Sequence, residues 1–142
     1  MVALGVSGIG DVQSTFVQNT KKLNEYYEAL DAGRFPIERG YALDADDQLR
    51  RFVITALMCN GRLDVSEVEQ RFGVRFADYF APELRELTGP DSPVADGLVR
   101  VGADTIEVTP VGRMFVRNVC MTFDRYLRAR TAGQTPVFSR TV

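Results

Sequence analysis

Two thiols, Cys59 and Cys120, and no histidine at all bound the chemistry open to this 142-residue chain. Zinc, iron–sulfur and haem sites draw on clustered Cys and His ligands, and two isolated cysteines build none of them. Proton transfer in catalysis falls most often to histidine, which is missing, and no nucleophile–base pair is readable from spacing. The densest carboxylates, Asp44, Asp46 and Asp47, stand just ahead of an apolar-periodic stretch. They read as the acidic first turn of a helix rather than as an acid/base pair. Both cysteines are expected to be reduced and buried.

Two other stretches could do work. Gly5-Val6-Ser7-Gly8-Ile9-Gly10 is neither a dinucleotide fingerprint nor a phosphate loop, since the GxGxxG spacing and the Lys-Ser/Thr pair are both absent. It reads as a plain strand-to-loop turn, or as one wall of a ligand site where glycine lets backbone approach closely. The second stretch, Gly112 to Arg130, is expected to form one amphipathic helix. Phe115, Val116, Val119, Cys120, Phe123, Tyr126 and Leu127 fall on the core arc. Met114, Met121, Arg117 and Arg125 fall on the opposite arc, with Asn118 and Arg128. Methionine suits adaptable apolar contact and arginine suits interface hydrogen bonds. That arc therefore reads as a docking surface for another domain, although the methionines could also lie on the apolar margin.

The elements that must position these residues are legible from period and punctuation. Val2 to Val6 is a short apolar run expected to be a buried strand, with no obvious sheet neighbour nearby. Asn19 or Thr20 can cap a helix on which Leu23, Tyr26, Tyr27 and Leu30 share a face, closed by Gly33. Residues 34–43 read as an extended connector around Pro36 and Gly40. The boundary therefore separates residues 1–40 from 41–142. The second part reads as three helical stretches. The first is capped by Asp44 and ended by Asn60-Gly61. The second is capped by Asp64 with Glu67 at capping-box spacing. The third runs from Arg75 to Gly89 with a break near Pro82. A hairpin follows, Leu98 to Val101 and Thr105 to Val108, turning at Gly102 to Asp104. Thr109-Pro110 then opens the closing helix. The fold class is α+β, mostly helical, with a winged-helix-like arrangement after the opening strand and helix.

Winged helices often bind DNA, but the third helical stretch sets Asp78, Glu83 and Glu86 against Arg75 and Arg85. The hairpin turn also carries no cation. With a net charge of −2, nucleic acid and anionic membranes are poor partners. The apolar runs fall short of a membrane span, and no basic segment opens a signal peptide. A cytoplasmic protein is expected.

Several ordered segments resemble the carboxyl-terminal part of bacterial oxygen-independent coproporphyrinogen III oxidases. They are Arg50-Arg51-Phe52-Val53-Ile54 to Leu57-Met58-Cys59-Asn60, Phe76-Ala77-Asp78-Tyr79-Phe80, Asp96-Gly97-Leu98-Val99, Gly112-Arg113 to Leu127, and Phe138-Ser139-Arg140. The resemblance implies a monomeric radical S-adenosylmethionine enzyme with a [4Fe–4S] cluster. Such an enzyme converts two propionates of coproporphyrinogen III to vinyl groups, giving protoporphyrinogen IX. It implies that Val2 to Val6 is the last strand of the radical S-adenosylmethionine barrel, and that Ile9, with Gly5 and Gly8, lines the S-adenosylmethionine site. Residues 41–142 would be the cover of that barrel. The three-cysteine cluster motif of the family is absent, so this chain alone is expected to be inactive. The other reading is a free-standing winged-helix interaction module.

Overall fold

The computed structural model describes residues 1–127. The chain divides into two compact units, Met1–Gln48 and a second beginning at Leu49.

In the first unit, β1 (Ile9–Val12), β2 (Thr15–Asn19) and β3 (Ile37–Ala42) form an antiparallel sheet in that order, with α1 (Leu23–Asp31) between β2 and β3. The expected strand at Val2 to Val6 is not there. Those residues are turn and irregular backbone, and Gly5 and Ser7 both take positive φ, 90° and 55°. A strand cannot run through two such residues. The segment is held instead by side chains. Asn19 Nδ2 donates to the carbonyls of Ala3 and Gly5, and the Gly5 N–H donates to the Tyr26 hydroxyl at 2.9 Å. The connector expected at 34–43 turns out to contain β3, whose Gly40 and Tyr41 pair with Val17 and Phe16. Helix α1 forms where expected, with Thr20 receiving the Lys22 N–H and Gly33 at φ 68°. Its apolar face is not covered, however, since Leu23, Tyr27 and Leu30 are all exposed.

The second unit contains the core. Helix α2 (Ala45–Thr55) begins where Asp44 Oδ1 accepts the Asp47 N–H at 2.8 Å. It widens into a π-helical turn at Ala56–Asn60 before Gly61 closes it in the left-handed conformation. Strand β4 (Arg62–Asp64) follows, then α3 (Val65–Phe72), capped by Asp64, whose carboxylate accepts the Glu67 N–H. That bond and the Ser66 hydroxyl hold the Asp64 carboxyl below its ordinary range, Ser66 contributing most. The third helical stretch is α4 (Phe76–Tyr79) and α5 (Ala81–Thr88), separated at Phe80 with Pro82 in the first turn of α5.

Strands β5 (Val99–Val101) and β6 (Thr105–Val108) form the expected hairpin, and β4 adds to the outer side of β6 as a third strand. Leu49, Val53, Leu57, Leu63, Val68, Phe76, Phe80, Leu87, Ile106, Val119 and Phe123 form one buried cluster. Phe80 packs edge-on to Phe123 with ring centres 5.4 Å apart.

The closing element is not one helix. A 3₁₀ turn at Gly112–Phe115 leads into α6 (Val116–Met121), and the chain then turns at Thr122 and Phe123. The Asp124 carboxylate captures the N–H groups of Tyr126 and Leu127 at 2.9 and 3.1 Å, starting a new turn. A short acid that bonds nearby backbone competes with helix continuation. The break shifts the arcs. Val119, Cys120 and Phe123 are buried as expected, but Phe115 and Tyr126, assigned to the core, are exposed. Arg128 and the Phe138-Ser139-Arg140 segment lie outside the described residues.

Candidate functional site

The amino-terminal sheet presents its sharpest chemistry on one face. Side chains directly across a sheet share a face. The register aligns Ile9, Gln18 and Arg39 in one row and Asp11, Phe16 and Tyr41 in the next. Along this face runs an open groove of about 560 Å³ lined by Ile9, Phe16, Val17, Gln18, Arg39, Gly40 and Tyr41. Arg39 Nε donates to Gln18 Oε1 at 2.8 Å, and Arg39 Nη2 donates to the same oxygen. The Tyr41 hydroxyl donates to Asp47 Oδ2 at 3.1 Å, which anchors that ring from the far end of β3.

Ile9 thus stands at the start of β1, exposed on the groove, rather than in a loop. Gly5 and Gly8 have other reasons to be glycine. Gly5 sits at φ 90° with open space where a Cβ would be. A Cβ on Gly8 would lie 3.0–3.1 Å from Leu4 O, Ala3 Cβ and Gly5 O, so that space is filled by the chain itself. Phe16, Gln18, Arg39 and Tyr41 were not singled out from sequence. Thr15–Asn19 and Ile37–Ala42 show no period-2 alternation of apolar and polar residues, so these residues come together only through strand pairing.

The second candidate face keeps its exposure but not its helix. Met114 is 82% exposed on the 3₁₀ turn and Met121 is 48% exposed at the end of α6. Arg117 is exposed and forms no ion pair among the described residues. Arg125 is half-buried, stacked 4.8 Å from the Tyr126 ring centre with its Nη2 donating to the Tyr126 hydroxyl. Val111 and Phe115 add exposed apolar area to this segment.

The thiols are unlike one another. Cys120 is buried, its Sγ 3.7 Å from Ile54 O, and burial, with a smaller push from Cys59, raises its pKa to about 11. Cys59, expected to be buried, is exposed, and neither forms a disulfide. Iodoacetamide at pH 8 should therefore add one label to the native chain, at Cys59, and two after denaturation, read by mass spectrometry. The native Cys120 thiol is only about one part in a thousand ionised at that pH, and the thiolate is the reactive form. Two such thiols do not fit an iron–sulfur cluster, and the described residues hold no group of three or more Cys, Asp or Glu able to hold a metal ion. No helix among them is long and apolar enough to cross a membrane.

Comparison with known proteins places this geometry. A family model described as the HemN C-terminal domain matches residues 43–115, just over half of the chain. The chain belongs to the HemN C-terminal domain family. The oxygen-independent coproporphyrinogen III oxidases of Salmonella typhimurium and Escherichia coli are 44% and 43% identical over 143 residues, and each alignment takes in 100% of this chain. The chain spans about 30% of the length of these curated relatives. A solved structure described as coproporphyrinogen III oxidase (HemN) from Escherichia coli, a radical SAM enzyme, matches with a TM-score of 0.79 at 46% identity. That match covers 87% of this chain and 28% of the solved one. The mixed fold with two small antiparallel sheets is thus that of the HemN carboxyl-terminal part. The HemN family match takes in α2 to α5, the hairpin and Met114, whereas Ile9 and the groove lie ahead of it and α6 lies beyond it.

Proposed function

We propose that this chain acts as the carboxyl-terminal portion of an oxygen-independent coproporphyrinogen III oxidase, a monomeric cytoplasmic enzyme, and closes the cleft of its radical S-adenosylmethionine part. The observation that carries this reading is the imbalance of the first unit. Its buried apolar side chains are Ala29 and Pro36, while Val2, Leu4, Ile9, Leu23, Tyr27 and Phe35 are exposed. Val2, Leu4, Leu30 and Phe35 line one depression, and a contiguous exposed apolar patch marks a surface that another body covers. Residues 1–40 would complete the barrel part and residues 41–142 form its cover, with Met114, Met121, Arg117 and Arg125 as a further docking face.

In the complete enzyme the cluster and S-adenosylmethionine would supply the radical chemistry, on ligands this chain does not carry. Ile9 and the groove beside it would face the bound S-adenosylmethionine, with Gly5 and Gly8 shaping the turn that leads to it. The chain's own contribution is to bind, orient and exclude water from a reactive site. Separately produced radical S-adenosylmethionine part and this chain should each fail to form protoporphyrinogen IX from coproporphyrinogen III, and their mixture should form it. Met114→Lys with Met121→Lys should weaken that association at least about tenfold, because each lysine would have to lose water without a partner in the interface. A mixture that neither associates nor turns over would overturn the reading.

A further inference from the structure

The groove on the amino-terminal sheet holds a cation, Arg39, that pairs with no carboxylate among the described residues. Arg39 is held by the neutral amide oxygen of Gln18 through Nε and Nη2, and it meets no acid among the described residues. A neutral partner fixes the guanidinium without cancelling its charge. Bonding along the Nε edge leaves the Nη1–Nη2 end of the fork uncommitted, the end that matches a carboxylate's two oxygens. Around it lie Ile9, Phe16 and Tyr41, which give the groove an apolar, partly aromatic floor. Its volume of about 560 Å³ is that of a small-molecule site. Asp11 stands on the same face one row away, so an anionic group is directed to the Arg39 row.

We propose that this face binds a ligand carboxylate on Arg39, with the flat apolar body of the ligand laid across Phe16, Tyr41 and Ile9. Gln18 is the positioning residue, setting the plane of the fork. The proposal rests on the function given above for its two sources of that chemistry, a propionate of coproporphyrinogen III or the amino-acid carboxylate of S-adenosylmethionine.

The test is binding to the full chain, using coproporphyrin III by fluorescence and S-adenosylhomocysteine by calorimetry, with and without Arg39→Gln. An exposed arginine on a sheet edge leaves the thermal transition unchanged on substitution, which checks that the variant is folded. Arg39→Gln should lose about tenfold or more in affinity for one or both probes, the scale of a charge-assisted hydrogen bond. Coproporphyrin III tetramethyl ester, which has no carboxylate, should bind both chains alike. Loss confined to coproporphyrin III assigns the propionate, and loss confined to S-adenosylhomocysteine assigns the cofactor. Equal affinities of both chains for both probes, or no binding of either probe by the parent, would remove the proposal. Reconstituted turnover that succeeds with Arg39→Gln at unchanged KM removes it while leaving the proposed function standing.

Discussion

Replacing Arg50 with alanine should destabilise the second unit by about 3–5 kcal/mol, the range for removing one partner of a buried ion pair. The Arg50 side chain is 15% exposed and that of Glu83 is 4% exposed, and Nη1 of Arg50 bonds Glu83 Oε1 at 2.9 Å. The same nitrogen donates to the carbonyl of Phe123 at 3.0 Å, and the guanidinium lies 5.2 Å from the Phe80 ring centre. One side chain therefore joins α2, α5 and the chain just after α6. Alanine leaves the Glu83 carboxylate in the interior without this cation and frees the Phe123 carbonyl. Thermal denaturation should show a fall of roughly 12 °C or more. The double variant Arg50→Met/Glu83→Leu removes both charges and should recover most of that loss, since an apolar pair of similar volume often replaces a buried ion pair at little cost. A single variant melting within about 2 °C of the parent would show that the pair contributes nothing.

Gly112→Ala should cost about 3 kcal/mol, the upper range for overpacking, measured by urea denaturation. A Cβ at Gly112 would lie 1.8 Å from Leu98 O and 2.7 Å from Leu98 C. That carbonyl cannot recede freely. It accepts the Thr109 N–H at 2.9 Å and the Thr109 hydroxyl at 3.2 Å, while the Leu98 N–H is bound to Pro93 O at 2.8 Å. Either the segment leading into β5, which seats Val99, or the 3₁₀ turn, which leads into the buried Val119 and Cys120 of α6, must move. Gly73→Ala is the contrast. Gly73 sits at φ 67° with nothing within 4 Å of its Cβ position, so only the left-handed backbone term of about 1–2 kcal/mol applies. Equal effects at the two positions would show that the close approach to Leu98 is not what makes Gly112 sensitive.

The parts of the fold that were legible are those where local signals agree with burial. Asp64 and Glu67 announce α3, and the structure shows that cap. Asp44 at one end and Asn60-Gly61 at the other bound the first helix of the second unit, and Leu49, Val53 and Leu57 are buried on it. The hairpin of β5 and β6 was readable from alternation and a Gly-containing turn. The first sheet was not readable. Its β1–β2 turn is Gln13-Ser14, both at positive φ, 47° and 60°, where asparagine and glycine are the usual signal. With that turn invisible, Ile9–Val12 and Thr15–Asn19 did not read as partners. Strand β4 was hidden for a different reason. It is three residues long, too short for a period, and exists because β6 offers an edge.

The helix expected over Gly112 to Arg130 shows where periodicity misleads. Its apolar spacing is real, but Asp124 takes two backbone N–H groups and resets the helical phase. Tyr126 consequently leaves the core arc that a uniform 100° step assigns to it, and Phe115 leaves it because it lies on the 3₁₀ turn, which steps about 120° per residue.

Residue types and local spacing alone determined the second unit's first three helical stretches, the caps at Asp44 and Asp64, the hairpin and most of the interior side chains, because these depend on neighbours within a few positions. They also left too few thiols and imidazoles for a zinc, haem or iron–sulfur motif built from this chain by itself. Only tertiary structure decided that Ile9, Phe16, Gln18, Arg39 and Tyr41 share one face, that Cys59 is exposed, and that Arg50 meets Glu83. Each of these joins or separates residues through strand pairing or helix packing, whose partners lie far along the chain and leave no local trace.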